Sequence, residues 1–358
     1  MVSESDADLV ALATRLAPKP GTFQTNSPAL QILRADATYS RVHSMHKPSL
    51  CFIAQGAKIV RVGDKTLRYG ANEFLYSSVE LPITGEVIEA SARKPYMVLV
   101  LEIEPHVVFD LVSSAGGADR RKPGESPRAI FVGKDEHMTD AFRRLLGCLR
   151  DPVDAQVLVP MVAREIVYRL LRGPYGAAVR EVGIADSQTQ RIVTIIERLK
   201  SDYASPLAMN DLARAAGMSL SSFHAHFKKV TTLTPLQYQK HLRLREARRL
   251  LLTSATTAAD AAYRVGYESP SQFNREYARY FGLPPMSDVR KTARASCFTG
   301  LQWGHASRQL SVRQGEIRDR RGALRLRVLS LHELSEGERL RVRSERGSRP
   351  RELQASLR

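Results

Sequence analysis

Between Pro48 and Glu102 the chain falls into short runs rich in β-branched and aromatic residues: Leu50 to Gln55, Lys58 to Val62, Lys65 to Tyr69, Glu73 to Ser77, Thr84 to Ala90 and Tyr96 to Glu102. Gly56, Gly63-Asp64, Gly70-Ala71-Asn72, Leu81-Pro82 and Lys94-Pro95 separate them and supply turns. This spacing predicts an antiparallel barrel or sandwich, which needs helices or a partner over any apolar face it leaves exposed. Ahead of it, residues 9–35 read as a helix, a Pro18-Lys19-Pro20-Gly21 break and a short apolar segment. Behind it the period lengthens. Val107 to Val112 starts a helix after Pro105, and His137 to Leu149 carries Met138, Phe142, Leu145, Leu146 and Leu149 at three- and four-residue steps. Gln156 to Leu171 is a further helix, closed by Gly173-Pro174-Tyr175-Gly176. These covering helices serve equally well as an internal core or as a dimer surface.

From Gln188 onward every apolar pattern is helical. Gln188 to Ser201 keeps Ile192, Ile195, Ile196 and Leu199 on one face. Leu212 to Ala216 is a short helix, Gly217 closes it in a left-handed C-cap, and Ser219 caps the next helix, whose inner face is Leu220, Phe223, Phe227 and Val230. A short helix, a glycine turn and a second capped helix are the layout of a helix-turn-helix. The arrangement returns about fifty residues later: Ala258 to Arg264, then Gly266, then Ser269-Pro270 and an inner face of Phe273, Tyr277, Tyr280 and Phe281. Pro235 to Leu252 joins the two units as one long helix, and Arg243, Arg245, Arg248 and Arg249 on it predict a partly basic ridge. Two such readers on a stiff helix are expected to sit about one duplex turn, roughly 34 Å, apart.

Charge sharpens this division. Residues 1–189 carry 23 basic and 22 acidic side chains, residues 190–293 carry 16 and 8, and residues 294–358 carry 15 and 7. A balanced half followed by a strongly basic one fits a sensing or assembly domain joined to a polyanion binder. The expected division is residues 1–183 for effector binding and dimerisation, 190–293 for DNA binding, and 296–358 as a basic, disordered tail. The tail's few apolar residues bury too little surface to offset ordering costs of roughly 1–2 kcal/mol per residue.

At this point the residues carry a family resemblance. Met218-Ser219-x-Ser221-Ser222-Phe223-His224-x-His226-Phe227-Lys228, then Thr234-Pro235-x-x-Tyr238, and above all Arg264-Val265-Gly266-Tyr267-Glu268-Ser269-Pro270-Ser271-Gln272-Phe273-x-Arg275-Glu276-Tyr277 resemble the DNA-binding domain of AraC/XylS-type transcriptional regulators. Pro48-Ser49-Leu50-Cys51, Gln55-Gly56-x-Lys58 and Tyr69-Gly70 resemble the N-terminal domain of one subgroup of that family. The resemblance implies an α+β protein: an N-terminal antiparallel, cupin-like β barrel with flanking helices, then an all-α domain with two helix-turn-helix motifs. It also implies a regulator modulated by a small-molecule effector, often a homodimer, whose status as activator or repressor depends on contacts with RNA polymerase. Ala225 departs from the pattern, because close relatives of the motif carry arginine there.

Base reading by the first recognition helix would therefore rest on Ser221, Ser222, Ala225, His226 and Lys229, and by the second on Gln272, Arg275 and Arg279. Arginine can take a guanine edge and glutamine an adenine edge, but either can sit on phosphate instead. Gly217, Phe223, Phe227, Gly266, Phe273 and Tyr277 are assigned to the motif's framework.

Other readings carry less. His43, His46 and His106 lack the carboxylate and spacing of a metal cluster, so no metal or other cofactor is expected. Cys51, Cys148 and Cys297 form no paired motif. Cys51 is expected on a strand with Leu50 and Phe52 facing one side and Cys51 and Ile53 the other; a small core residue is the preferred reading, an effector-pocket or electrophile-reactive thiol the sharper one. Ser113-Ser114-Ala115-Gly116-Gly117 lacks the lysine and hydroxyl of a phosphate loop. No catalytic constellation emerges. With no export-signal pattern and no long apolar run, the expectation is a cytoplasmic protein that spans no membrane. An architectural or RNA-associated basic protein, with the barrel used only for assembly, is the alternative class; it is disfavoured because the aromatics fall on inner helix faces rather than on an exposed stacking surface.

Overall fold

Every residue from Ser49 to Ala54 is buried, so this strand needs cover on both faces, and the fold provides it. The computed structural model describes residues 4–114, 129–184, 187–254 and 256–299, and the pairs 318–319 and 322–323. The N-terminal part runs α1 (Glu4–Leu16), β1 (Gly21–Gln24), β2 (Leu30–Ala35), β3 (Tyr39–His46), β4 (Ser49–Gln55), β5 (Ala57–Val62), β6 (Lys65–Gly70), β7 (Glu73–Ser77), β8 (Leu81–Glu89), β9 (Tyr96–Glu102), α2 (Pro105–Ser114), β10 (Ile130–Lys134), α3 (Met138–Cys148), α4 (Pro152–Arg172) and α5 (Gly176–Gly183). Its strands form two antiparallel sheets, six-stranded in the order β1-β2-β9-β4-β7-β10 and four-stranded in the order β3-β8-β5-β6.

This corrects the barrel expectation. Among the described residues no ladder joins the two sheets: one ends at β1 and β10, the other at β3 and β6, so the strands make an open two-layer sandwich rather than a closed cylinder. The chain leaves β4 for the second sheet at Gly56, where φ is +86° and a side chain would lie 2.5 Å from the Glu89 carbonyl oxygen. Alternation along β4 then sorts the core. Leu50, Phe52 and Ala54 pack toward the helices, where Phe52 stacks on Phe142 of α3 at 4.7 Å, while Cys51 and Ile53 enter the layer between the sheets. The structure differs from the expectation at three further places. The sequence Tyr39 to His46 is largely polar yet pairs with β8 along its length, β10 adds an edge strand beside β7, and α5 restarts directly after the Gly173 to Gly176 stop. Of the Ser113 to Gly117 loop, Ala115, Gly116 and Gly117 lie outside the described residues.

The second part is α6 (Gln188–Ser201), α7 (Met209–Ala215), α8 (Leu220–Thr231), α9 (Pro235–Thr253), α10 (Ala258–Arg264), α11 (Pro270–Phe281) and α12 (Pro285–Thr299). Helix α12 crosses the boundary expected at residues 293–296. Met1–Trp303 form one unit and Gly304–Arg358 another, whose described part is Arg318–Asp319 paired antiparallel with Gly322–Ala323 (β11 and β12); the rest of the expected tail lies outside the described residues.

Helix α9 organises this part. It opens on Thr234 with a reciprocal capping box to Gln237 and with Pro235 in its first turn. The arginines expected as a ridge are mostly employed inward. The Arg243 guanidinium donates to the carbonyls of Tyr203 (2.7 Å), Ala204 (3.0 Å), Ser205 (3.0 Å) and Gly266 (2.8 Å). Arg248 grips the buried Asp288 carboxylate of α12 at 2.7 and 3.0 Å, and that carboxylate also accepts from the Tyr277 hydroxyl at 2.8 Å. Arg249 pairs with Glu246 one turn away.

The same helical part docks on the outer face of the four-stranded sheet. The Tyr238 hydroxyl donates to the Glu80 carbonyl at 2.9 Å, Lys200 pairs with the Glu80 carboxylate at 2.6 Å, and the His43 ring lies 4.3 Å from Tyr280 and 5.3 Å from Phe281. Replacing Arg243 by Met keeps the stem and deletes the donors. Gln239 still serves Tyr203 and Ser205, so the Ala204 and Gly266 carbonyls lose this partner. A stability loss of roughly 1–3 kcal/mol is expected for the full chain in urea; an unchanged midpoint would mean that water replaces the guanidinium without cost.

Candidate nucleic-acid interface

Two turns of identical hydrogen bonding position the recognition helices. At the end of α7 the Gly217 amide donates to the Arg214 carbonyl (2.9 Å) and the Met218 amide to the Ala213 carbonyl (3.0 Å). At the end of α10 the Gly266 amide donates to Tyr263 (3.0 Å) and the Tyr267 amide to Ala262 (3.0 Å). Both are Schellman closures with glycine in the left-handed region, φ +63° at Gly217 and +88° at Gly266. The chain then turns into a new helix capped by a serine: Ser219 accepts from the Ser222 amide and Ser269 from the Gln272 amide. The second turn is one residue longer, so the phase of the helix is set by its own cap rather than by distance from the glycine.

Each helix buries its aromatics and presents polar side chains. On α8, Phe223, Phe227 and Val230 are buried; Ser221, Ala225 and Lys228 are exposed, and Ser222, His226 and Lys229 are half-buried. Leu220, expected on the inner face, is 42% exposed. On α11, Phe273 and Tyr277 are buried, while Ser271, Gln272, Asn274, Arg275 and Arg279 are exposed. The aromatic pairs meet edge to face, Phe223 with Phe227 at 5.7 Å and Phe273 with Tyr277 at 5.4 Å. Tyr280 and Phe281 turn aside toward His43 and His241. Lys228 and Asn274 join the exposed faces although the sequence reading passed them over; Lys228 follows Ser221 and Ala225 at steps of four and three, the signal that could have found it.

The exposed groups differ in freedom. The Gln272 amide lies 3.5 Å from Glu276, whose carboxylate also accepts from Lys240 (3.1 Å) and Tyr267 (2.9 Å). Burial opposes ionisation of Glu276, but hydrogen bonds from Lys240, Tyr267 and Gln272 outweigh it and hold its pKa below the usual range. His226 titrates below its ordinary value because of burial and the neighbouring Lys229, with Glu181 of α5 opposing. Its Glu181 neighbour places α8 close to the N-terminal part. No group of three metal-ligating side chains occurs among the described residues. His43 and His46 lie on opposite faces of β3, and His106 pairs with Glu104 at the surface.

The two parts together define a double helix-turn-helix protein fused to a β-sandwich domain. Residues 26–178 match the AraC-type transcriptional regulator N-terminus and residues 212–291 match a helix-turn-helix domain. Over the first of these segments the chain is similar to AraC-type transcriptional regulators. It is 30% identical over 106 residues to the HTH-type transcriptional activator RhaS of Escherichia coli (strain SE11), and 26% identical over 146 residues to RhaS of Yersinia pestis bv. Antiqua (strain Angola). These matches take in 30% and 39% of this chain and 38% and 51% of the relatives, so the chain spans about half or less of each. Crystalline apo ToxT from Vibrio cholerae strain SCE256 covers 75% of this chain and 99% of its own, at 11% identity and a TM-score of 0.48.

The two turn glycines are not equivalent. A side chain at Gly217 would meet only an Arg191 guanidinium nitrogen, at 3.2 Å, whereas one at Gly266 would run into the Ala204 carbonyl, which is backbone held by Arg243. Gly217→Ala should cost about 1 kcal/mol, the strain of a left-handed alanine. Gly266→Ala should cost clearly more, because strain and collision add. Equal melting temperatures for the two variants would contradict this.

Proposed function

We propose that the chain is a sequence-specific regulator of transcription that binds duplex DNA through α8 and α11, one in each of two adjacent major-groove segments, and responds to a small-molecule effector held by its N-terminal domain. The observation that carries the reading is the repeated unit itself: a glycine-closed turn, a serine cap, and a helix with aromatics inward and polar side chains outward, twice. Recognition helices of this kind read base edges from their exposed face. Ser221, Ser222, Ala225, His226 and Lys229 on α8, and Gln272, Arg275 and Arg279 on α11, are the proposed contacts, with Lys228 and Asn274 added by exposure. Arg275, like Arg279, is free for direct reading, because it is exposed and has no ion pair among the described residues. Gln272 must first leave Glu276. The burial of Phe223, Phe227, Phe273 and Tyr277 argues against an RNA-stacking role.

The proposed division keeps residues 1–183 for effector binding and dimerisation and 190–293 for DNA binding, with α12 completing the latter. A homodimer is supported by α4, whose Val153, Val157, Met161 and Tyr168 are exposed at near-helical spacing (69, 57, 64 and 47%). RNA polymerase is the expected partner at the promoter. No helix among the described residues is long and apolar enough to cross a membrane.

Selection from a randomised duplex pool by the full chain tests the reading. A preferred sequence should emerge, and Arg275→Ala should erase preference at one position by about 1–3 kcal/mol. A uniform loss with a shallower salt dependence would move Arg275 to phosphate. Failure to enrich any sequence would overturn the function.

A further inference from the structure

The two recognition helices end in the same backbone conformation but on different residues. Helix α11 stops at Gly282, φ +82°, whose amide donates to the Ala278 carbonyl at 2.8 Å and where a side chain would meet nothing within 4 Å. Helix α8 stops at Thr232, φ +64°, whose amide donates to the Lys228 carbonyl at 2.8 Å. The chain then continues alike, through Leu233 and Thr234 to Pro235 at the start of α9, and through Leu283 and Pro284 to Pro285 at the start of α12. A threonine therefore stands where the repeat carries glycine. The left-handed region is costly for a β-branched residue, and the only other non-glycine residue there among the described residues is Asn72, a type that tolerates it. No polar contact offsets that cost. The Thr232 Oγ1 is buried with no hydrogen-bond partner among the described residues, whereas the Thr231 hydroxyl bonds the Phe227 carbonyl at 2.7 Å and accepts from the Leu233 amide at 3.1 Å.

What bears on this turn comes from the N-terminal part. Gly63 lies at the tip of the β5–β6 hairpin, and a side chain there would lie 2.7 Å from the Thr232 carbonyl oxygen. The tip thus abuts the Thr232 backbone with room for glycine alone. Leu233 and Tyr238, which flank the start of α9, belong to the same apolar cluster as Val60 and Val62 of β5. Glu80 fastens the same region, its carbonyl accepting from Tyr238 and its carboxylate from Lys200. A strained residue persists only where its surroundings over-determine it, and here those surroundings include the sandwich domain. The Thr232 turn sets the direction of α8 against α9, and thereby against α11. A return of Thr232 to the right-handed region would extend α8 and swing it on the strut. The Gly282 turn is exposed and needs no such support.

We propose that Gly63 and Thr232 are a positioning pair for DNA reading: the hairpin tip keeps the Thr232 turn in its left-handed form and so holds α8 in register with α11. The proposal rests on the reading of these two helices as the DNA-contacting ones. It is tested on the full chain with Gly63→Asn, Thr232→Gly and the two combined. Asparagine accepts the left-handed φ of +57° found at Gly63, so the hairpin turn survives while a side chain fills the gap. In thermal unfolding without DNA, Thr232→Gly should melt above the parent chain; an equal or lower Tm means that the turn holds no strain and overturns the proposal. Affinity is then measured for the selected duplex and for duplexes scrambled in either half, the α11 half being the one that Arg275→Ala affects. Gly63→Asn should weaken binding about tenfold, the equivalent of one residue's left-handed strain, and lose preference in the α8 half alone. With Thr232→Gly also present the loss should shrink to about twofold or less, because glycine holds the turn unaided. No loss, an equal loss of preference in both halves, or a loss that Thr232→Gly does not rescue overturns the pair. The Tm comparison needs no change at Gly63, so it decides whether strain is held even if Gly63→Asn misfolds. A chain that enriches a duplex but fails these tests keeps its function and loses only this pair; one that enriches none loses both.

Discussion

The Arg243 guanidinium is the fastening on which the geometry of the helical half depends. It lies on the helix between the two helix-turn-helix units and ties the carbonyls of the Tyr203 to Ser205 segment, which leads into the first unit, to the carbonyl of Gly266, the turn of the second. Planar guanidinium donors in fixed directions suit this task better than a single ammonium would. Gln239 one turn earlier binds two of the same carbonyls, and Arg248 further along holds α12 through Asp288. Helix α9 is thus a strut with polar attachments on both sides. The spacing of α8 and α11 follows from its length and from where those attachments fall.

The strut also reaches the other half of the protein. Tyr238 near its start contacts Glu80 of the sandwich domain, and Tyr280, which packs on His241 of the same helix, contacts His43. The four-stranded sheet is consequently covered on both faces: by the six-stranded sheet inside and by the helices of the second part outside. Strand β3 spans both environments, with His46 in the inter-sheet layer and His43 against the helices. A change in how the sheets pack around His46 is therefore only one strand's thickness from the surface that seats α9 and α11. Under the proposed function, that proximity would give the N-terminal domain a direct mechanical route to α8 and α11, without a linker that must transmit force.

The legible parts of the fold were those fixed by near neighbours in sequence. Gly217 with Ser219, Gly266 with Ser269, and the paired aromatics of α8 and α11 announce themselves because turn, cap and inner face are decided by residues close together in the chain. Strand β4 was also readable, with Leu50 and Phe52 on one side and Cys51 and Ile53 on the other. What escaped depends on distant partners. The polar composition of β3 makes sense only once its two covers are present. Arg243 looked like surface charge, because its acceptors lie some forty residues earlier and twenty-three later. The barrel expectation failed for a related reason: strand spacing reveals how many strands exist, not which edges remain unpaired. Leu220 followed the helical period yet lies exposed, because the first turn of α8 projects beyond the core.

The central claim is that α8 and α11 are held by α9 as one rigid pair that engages two successive major-groove segments on a single face of the duplex. Hydroxyl-radical footprinting of the full chain on its selected sequence tests this most directly. The account predicts two protected stretches about 10 base pairs apart, one helical turn, so that both lie on the same face. A single protected stretch, or two offset by half a turn onto opposite faces, would contradict it.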